Sequence, residues 1–167
     1  PPSVEGEDAF WFLVDPTDPS SGMELDSSGL PKDTGKNYQA NLLVIVPACA
    51  KTAALPLRAV VYGHGLLGSA DEISSSLHRG IANRLCTIEL ATDFIGLSSD
   101  DLVYLGGQVL GKFDNLAVTT DRLQQAHVNA QTMTRMFLRK IKDDPALKIG
   151  SRAITDGKDV YYFGVSD

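Results

Sequence analysis

The run Val160-Tyr161-Tyr162-Phe163 constrains the fold of this 167-residue chain more than any other stretch. Its residues are β-branched or aromatic, and no polar residue alternates with them. A strand with one face in water alternates; a strand covered on both faces does not, and such strands belong to parallel sheets flanked by helices. The chain is therefore expected to be α/β, and the remaining sequence must supply the helices such a sheet needs.

Ala9 to Val14 (AFWFLV) reads as a first strand, closed by Asp15 and Pro16. Residues Asp15 to Lys36, dense in Asp, Ser, Gly and Pro, read as a surface loop. Its acids Asp15, Asp18, Glu24, Asp26 and Asp33 fit no EF-hand spacing, so they are read as solvated turn residues. Tyr38 to Val46, stopped by Pro47, is the second expected strand, and Leu57 to Tyr62 is the third. The third runs into Gly63-His64-Gly65-Leu66-Leu67-Gly68-Ser69, whose glycines allow backbone amides to turn toward a ligand. Alone, such a turn reads equally as a tight connection into a helix.

That helix is expected from about Ala70 to Leu85, with Ser69 and Glu72 as a capping box and Ile73, Leu77, Ile81 and Leu85 on its buried face. A fourth strand lies within Thr87 to Phe94, followed by a turn in which Ser98, Ser99, Asp100 and Asp101 read as polar turn residues. Leu102 to Asn115 reads as loop. A long helix is expected from about Thr120 to Lys142, capped by Thr120, with Leu123, Ala126, Ala130, Met133, Phe137 and Ile141 along one face. A loop carrying Gly150 and Gly157 leads into the terminal strand. No repeat divides the chain, and a 43% hydrophobic composition supports one ordinary core over residues 1–167.

Charge narrows the partners. The net charge is -6, and no basic cluster exceeds Arg139, Lys140 and Lys142, which argues against nucleic acid or an anionic membrane surface. Apolar runs such as Leu42 to Val46 fall far short of the roughly 20 residues that span a bilayer. Cys49 and Cys86 fit no metal or redox motif; they are read as buried thiols, with a bridge between them as the other reading. The start PPSVEGED, without an initiating Met, reads as a processed product, and the expected compartment is extracellular or periplasmic.

The terminal strand is followed by Gly164, Val165, Ser166 and Asp167, the first four letters of GxSxG. In that pattern a serine sits on a strained strand-to-helix turn with its hydroxyl exposed. Together VVYGHGLLGS, ATDFIGLSSDD and YYFGVSD, each at the end of a strand, resemble the α/β-hydrolase superfamily. The resemblance implies a mostly parallel sheet with flanking helices, the N-terminal half of an α/β-hydrolase fold. It implies that Ser166 is the nucleophile of a serine hydrolase cleaving a carboxylic ester, with an oxyanion hole made by the backbone N–H groups of Leu66 and Asp167. It also implies that His64, Gly65 and Gly164 shape the site, because in this family the catalytic histidine follows the nucleophile in chain order.

In this family the triad acid and histidine ride on loops after further strands that follow the nucleophile, so a complementary C-terminal chain of the same enzyme is expected to supply them, together with a neighbour for the terminal strand. No cofactor or metal is expected. His78 and His127 read as helix-surface or packing residues, Asp93 as a turn former, and Met133 and Met136 as helix packing. Two other classes remain open on the sequence: a non-catalytic binding subunit of the same fold, and the small chain of an autoprocessed amidohydrolase whose nucleophile begins its partner.

Overall fold

The structure, a computed structural model, describes residues 14–15, 18–35 and 40–166. The expected first strand lies outside them except for Val14, which is buried against Phe94, Ile95 and Ala126. Four strands form the main sheet: β1 (Leu43–Ile45), β2 (Ala59–Gly63), β3 (Ile88–Ala91) and β6 (Val160–Gly164), in the order β1-β3-β2-β6. β2 is parallel to both β3 and β6, whereas β1 runs antiparallel to β3. A short hairpin, β4 (Lys148–Ile149) with β5 (Arg152–Ala153), precedes β6 and turns through Gly150. The chain is thus α/β with a mostly parallel sheet, although small.

Side chains alternate across the sheet, and the two faces have separate cores. On one face Ala59, Val61, Ile88 and Leu90 pack against Met133 and Phe137 of α3 (Leu116–Arg139). On the other, Tyr62 and Ala91 pack against Ala70 and Ile73, with Leu43 and Ile45 partly buried beside them. The connection β2 to β3 covers one face and the connection β3 to β6, which crosses β2, covers the other, so the direction of travel across the sheet reverses at β3. Within α3 the expected stripe is found, with Ala126, Met133 and Phe137 buried and Leu123 and Ala130 half-buried, but the helix ends at Arg139 and Ile141, also half-buried, belongs to the 3-10 turn Ile141–Asp143. The helix begins four residues before Thr120, which is no cap: its Oγ1 donates to the Ala117 carbonyl from inside the first turns.

The helix expected over 70–85 is two pieces. A 3-10 turn, Ala70–Ser74, ends at Ser75, which is extended (φ -66, ψ 159) and caps α1 (Ser76–Leu85) by accepting the His78 N–H. Three consecutive serines explain the break, because their side chains compete for backbone groups and favour caps over helix interiors. The break also re-aims the helix. Leu77 and Leu85 are 69% and 65% exposed, while His78 and Ala82 are the buried residues. His78 Nδ1 pairs with Glu89 Oε2 at 3.1 Å, and its ring meets Tyr62 edge to face at 4.4 Å. A buried carboxylate on β3 thus selects the polar side of α1 over its leucines.

Two further expectations are corrected. Residues 102–115 are a helical turn α2 (Leu102–Tyr104), a π-turn Leu105–Val109 and a 3-10 turn Phe113–Asn115. Cys49 and Cys86 are bridged, with Cα atoms 5.9 Å apart. Cys86 is the left-handed C-cap of α1, and Cys49 lies in the 3-10 turn Ala48–Lys51 that follows β1. Because β1 and β3 are neighbours, the end of β1 and the start of β3 bring the two cysteines together.

Candidate functional site at the carboxyl ends of β2 and β6

In open α/β sheets, ligands bind beyond the carboxyl ends of the strands where the strand order reverses. Here the connections leaving β2 and β3 go to opposite faces, and the candidate site is formed by the turn leaving β2 and, beside it, the turn leaving β6. Both turns come from motifs singled out in the sequence, and the parallel register Gly63↔Gly164 sets them side by side. The Val165 N–H donates to the Gly63 carbonyl at 3.1 Å, which continues the ladder one step past the strand. At Ser166 the backbone enters the left-handed region with φ 64. A side chain rarely holds that conformation, and it costs roughly 1–2 kcal/mol relative to the right-handed one.

Gly65 lies directly against this turn. A Cβ at Gly65 would sit 2.7 Å from the Val165 carbonyl oxygen and 3.2 Å from Ser166 Cβ, so only glycine lets the two turns approach this closely. Leu67 is also left-handed (φ 59), and its N–H donates to the Leu97 carbonyl at 2.6 Å. The turn is tied again to the segment after β3 by Ser99 N–H donating to the Gly68 carbonyl at 2.8 Å. Among the described residues the Leu66 N–H donates to nothing, and its side chain is exposed. Asp167 lies outside the described residues.

His64 is almost wholly buried, and both ring nitrogens are engaged. Nδ1 lies 2.9 Å from the Gly65 carbonyl, which only accepts, and Nε2 lies 2.8 Å from the Phe94 N–H, which only donates. These partners put the ring proton on Nδ1 and occupy the Nε2 lone pair. The ring therefore has no nitrogen left to take a proton from a serine; it fastens the β2 turn to the end of β3. The other two histidines are elsewhere: His78 is paired with Glu89, and His127 stacks edge to face on Phe94 from α3.

The sequence reading passed over the frame beneath the site. Asp101 and Ser98, read as polar turn residues, are buried. Asp101 Oδ2 accepts from the Gly96 N–H, the Ser98 N–H and the Ser98 hydroxyl, and Oδ1 faces the Arg122 guanidinium at 3.2 Å. Arg122 also donates to the Asp18 carbonyl, joining the 15–36 loop to α3. Asp93 caps the Ala70 N–H at 2.8 Å, and Tyr62 donates to Glu72 at 2.6 Å. The spacing Ser98-x-x-Asp101 is itself a cap signature; the depth of Asp101 had no local signal.

Among the described residues, no cluster of three or more His, Cys, Asp or Glu is arranged to hold a metal ion, and no helix is long and apolar enough to cross a membrane. Comparison with protein-family models, curated proteins and solved structures found no match to this chain.

Proposed function

We propose that this chain carries the nucleophile of a serine hydrolase that cleaves carboxylic esters through an acyl-enzyme on Ser166. The observation that carries the reading is the left-handed Ser166 at the carboxyl end of a parallel strand, set beside the glycine turn that leaves β2. An uncommitted Leu66 N–H beside it and a glycine at the point of closest approach support the same reading. In the reaction, Ser166 Oγ attacks the ester carbonyl carbon while its proton passes to a histidine. The carbonyl oxygen becomes an oxyanion held by the N–H groups of Leu66 and Asp167, and the alcohol leaves with the proton returned by the imidazolium. Water then repeats the sequence on the acyl-enzyme and releases the acid.

The three histidines of this chain are engaged away from Ser166, so the general base and its orienting acid come from other polypeptide, the complementary C-terminal chain of the same enzyme. The exposed side chains at the end of the sheet suit its attachment. Tyr161, Phe163 and Val165 are exposed, and among the described residues β6 pairs only with β2. The Cys49–Cys86 disulfide fits an oxidising compartment, extracellular or periplasmic. The same engagement of the histidines favours a second reading, a non-catalytic binding subunit in which Ser166 is only a turn residue. A fluorophosphonate probe separates the two. With the complete protein we expect one adduct, on Ser166, absent from S166A. An unlabelled wild-type protein would leave the binding-subunit reading standing.

A further inference from the structure

We infer that the segment Leu102–Leu116 is an acyl-chain platform that makes the site selective for esters of long apolar acids; this rests on the hydrolase reading. The segment contains eight large apolar residues in fifteen positions, of which only Tyr104 and Val109 are buried. Val103, Leu110 and Phe113 are 84%, 74% and 75% exposed, and Leu102 and Leu116 are about half exposed. Solvent-facing turns are ordinarily polar, and so many exposed large apolar residues in one short segment mark a place where something apolar lies.

Its position says what that is. β3 is parallel to β2, so the chain leaving Ala91 emerges at the same edge of the sheet as the turns of His64 and Ser166. Leu67 N–H to Leu97 O and Ser99 N–H to Gly68 O clamp the start of the segment to the turn that carries the exposed Leu66. The candidate oxyanion donor Leu66 thus lies on the turn that is tied to the chain three to five residues before the platform begins. The charge pattern excludes the other usual occupants. Lys112 and Asp114 are the segment's charged residues between Leu102 and Leu116, and they cancel, so neither an anionic lipid surface nor a charged peptide has a counter-charge there. Gly106 and Gly107 lie in the π-turn with open space around them, so no crowding requires them. They also keep side chains off that part of the π-turn, a kind of turn that is frequently found at functional sites.

The test is the rate at which Ser166 of the complete protein is labelled by two alkyl fluorophosphonates, ethyl and dodecyl. In each, Ser166 Oγ attacks phosphorus, fluoride leaves, and the hydroxyl proton passes to the base, so the head-group chemistry is the same. Each methylene taken out of water is worth about fourfold in association. A tail lying partly on the platform is therefore expected to make the dodecyl probe at least about tenfold faster. The V103S/F113S double variant should bring the ratio of the two rates to within about twofold, and L77S, which removes an exposed leucine of α1, should leave it as in wild type. Equal rates on the wild-type protein, or a ratio that survives V103S/F113S, overturn the platform while leaving the nucleophile in place. No labelling by either probe overturns the hydrolase reading and the platform with it.

Discussion

Replacing Asp101 by Ala should be among the most damaging single changes in this chain. Asp101 and Arg122 side chains are 4% and 7% exposed, so neither has water to fall back on. The substitution leaves a buried guanidinium without its counter-charge, which costs about 3 to 5 kcal/mol. It also strands the N–H groups of Gly96 and Ser98, each worth about 1 kcal/mol or more when unpaired. Water entering the vacated volume offsets part of this, and we expect a loss of about 4 kcal/mol. D101N keeps the shape and loses the charge, and should lie near half that value. Removing both partners in D101A/R122M no longer buries an unpaired charge, so the double variant should be at least about 2 kcal/mol more stable than the sum of the singles predicts. Urea unfolding followed by circular dichroism measures all four corners of the cycle, with the slope against urea held constant as the check on two-state behaviour. A D101A loss below about 1 kcal/mol, or additivity within about 0.5 kcal/mol, would show that the pair is solvated and that the frame beneath the site is not as described.

Three other perturbations have defined outcomes. Closing a loop of 37 residues by the Cys49–Cys86 bridge removes chain entropy worth about 4 kcal/mol, so C49A/C86A should lower the thermal midpoint by on the order of 10 °C, as should a strong reductant on the wild type; an unchanged midpoint would refute this. G65A forces a methyl against the Val165 carbonyl and should cost about 1 to 3 kcal/mol and slow labelling of Ser166, whereas retained labelling would mean the two turns are not in contact. Asp26 accepts from the Ser28 hydroxyl and from the N–H groups of Leu30 and Ser28, which hold its carboxyl below the ordinary aspartate value. A depressed folded value means that its contribution is present above the unfolded value near about 4 and is lost as pH falls through the folded one. In an NMR carboxyl titration S28A should move the Asp26 midpoint upward; a wild-type midpoint already near about 3.9 would refute the hydrogen-bonded turn.

The sheet was legible because its strands carry period and punctuation: AVVYG and VYYFG are strand sequences ended by glycine, and they pair as neighbours. The burial of β6 was not. An apolar run reports what a strand needs, and only the structure shows that Tyr161 and Phe163 are half exposed and that, among the described residues, β6 stands last in the sheet order. In α1 the i, i+4 leucines gave the helix but the wrong face, because the deciding group, Glu89, lies on a different element and must be met by His78. The same limit hid Arg122. Thr119, Arg122, Ala126, Asn129, Met133 and Phe137 form one buried face of α3, polar at its start and apolar at its end. A hydrophobic stripe finds only the second half. The motifs around His64 and Ser166 were visible as residues, but their fit through Gly65 depends on a distance that no spacing encodes.

The sheet is held unequally at its two sides. The β1 side carries a covalent staple, since the Cys49–Cys86 bridge joins the turn after β1 to the residue before β3. Among the described residues β6 pairs only with β2, and no covalent bridge ties it to the sheet. Native-state openings take the weakest cooperative unit first, so amide hydrogen exchange should release the amides of Tyr161 to Gly164 well before those of Ile88 to Ala91. Ser166 rides on the loosely held unit. Its approach to Gly65 persists only while β6 stays docked, so whatever covers Tyr161 and Phe163 also lengthens the fraction of time for which the serine is in position. Assembly at that edge and chemistry at the turn would then draw on one opening equilibrium, and a partner with no contact to the substrate would still act as an activator.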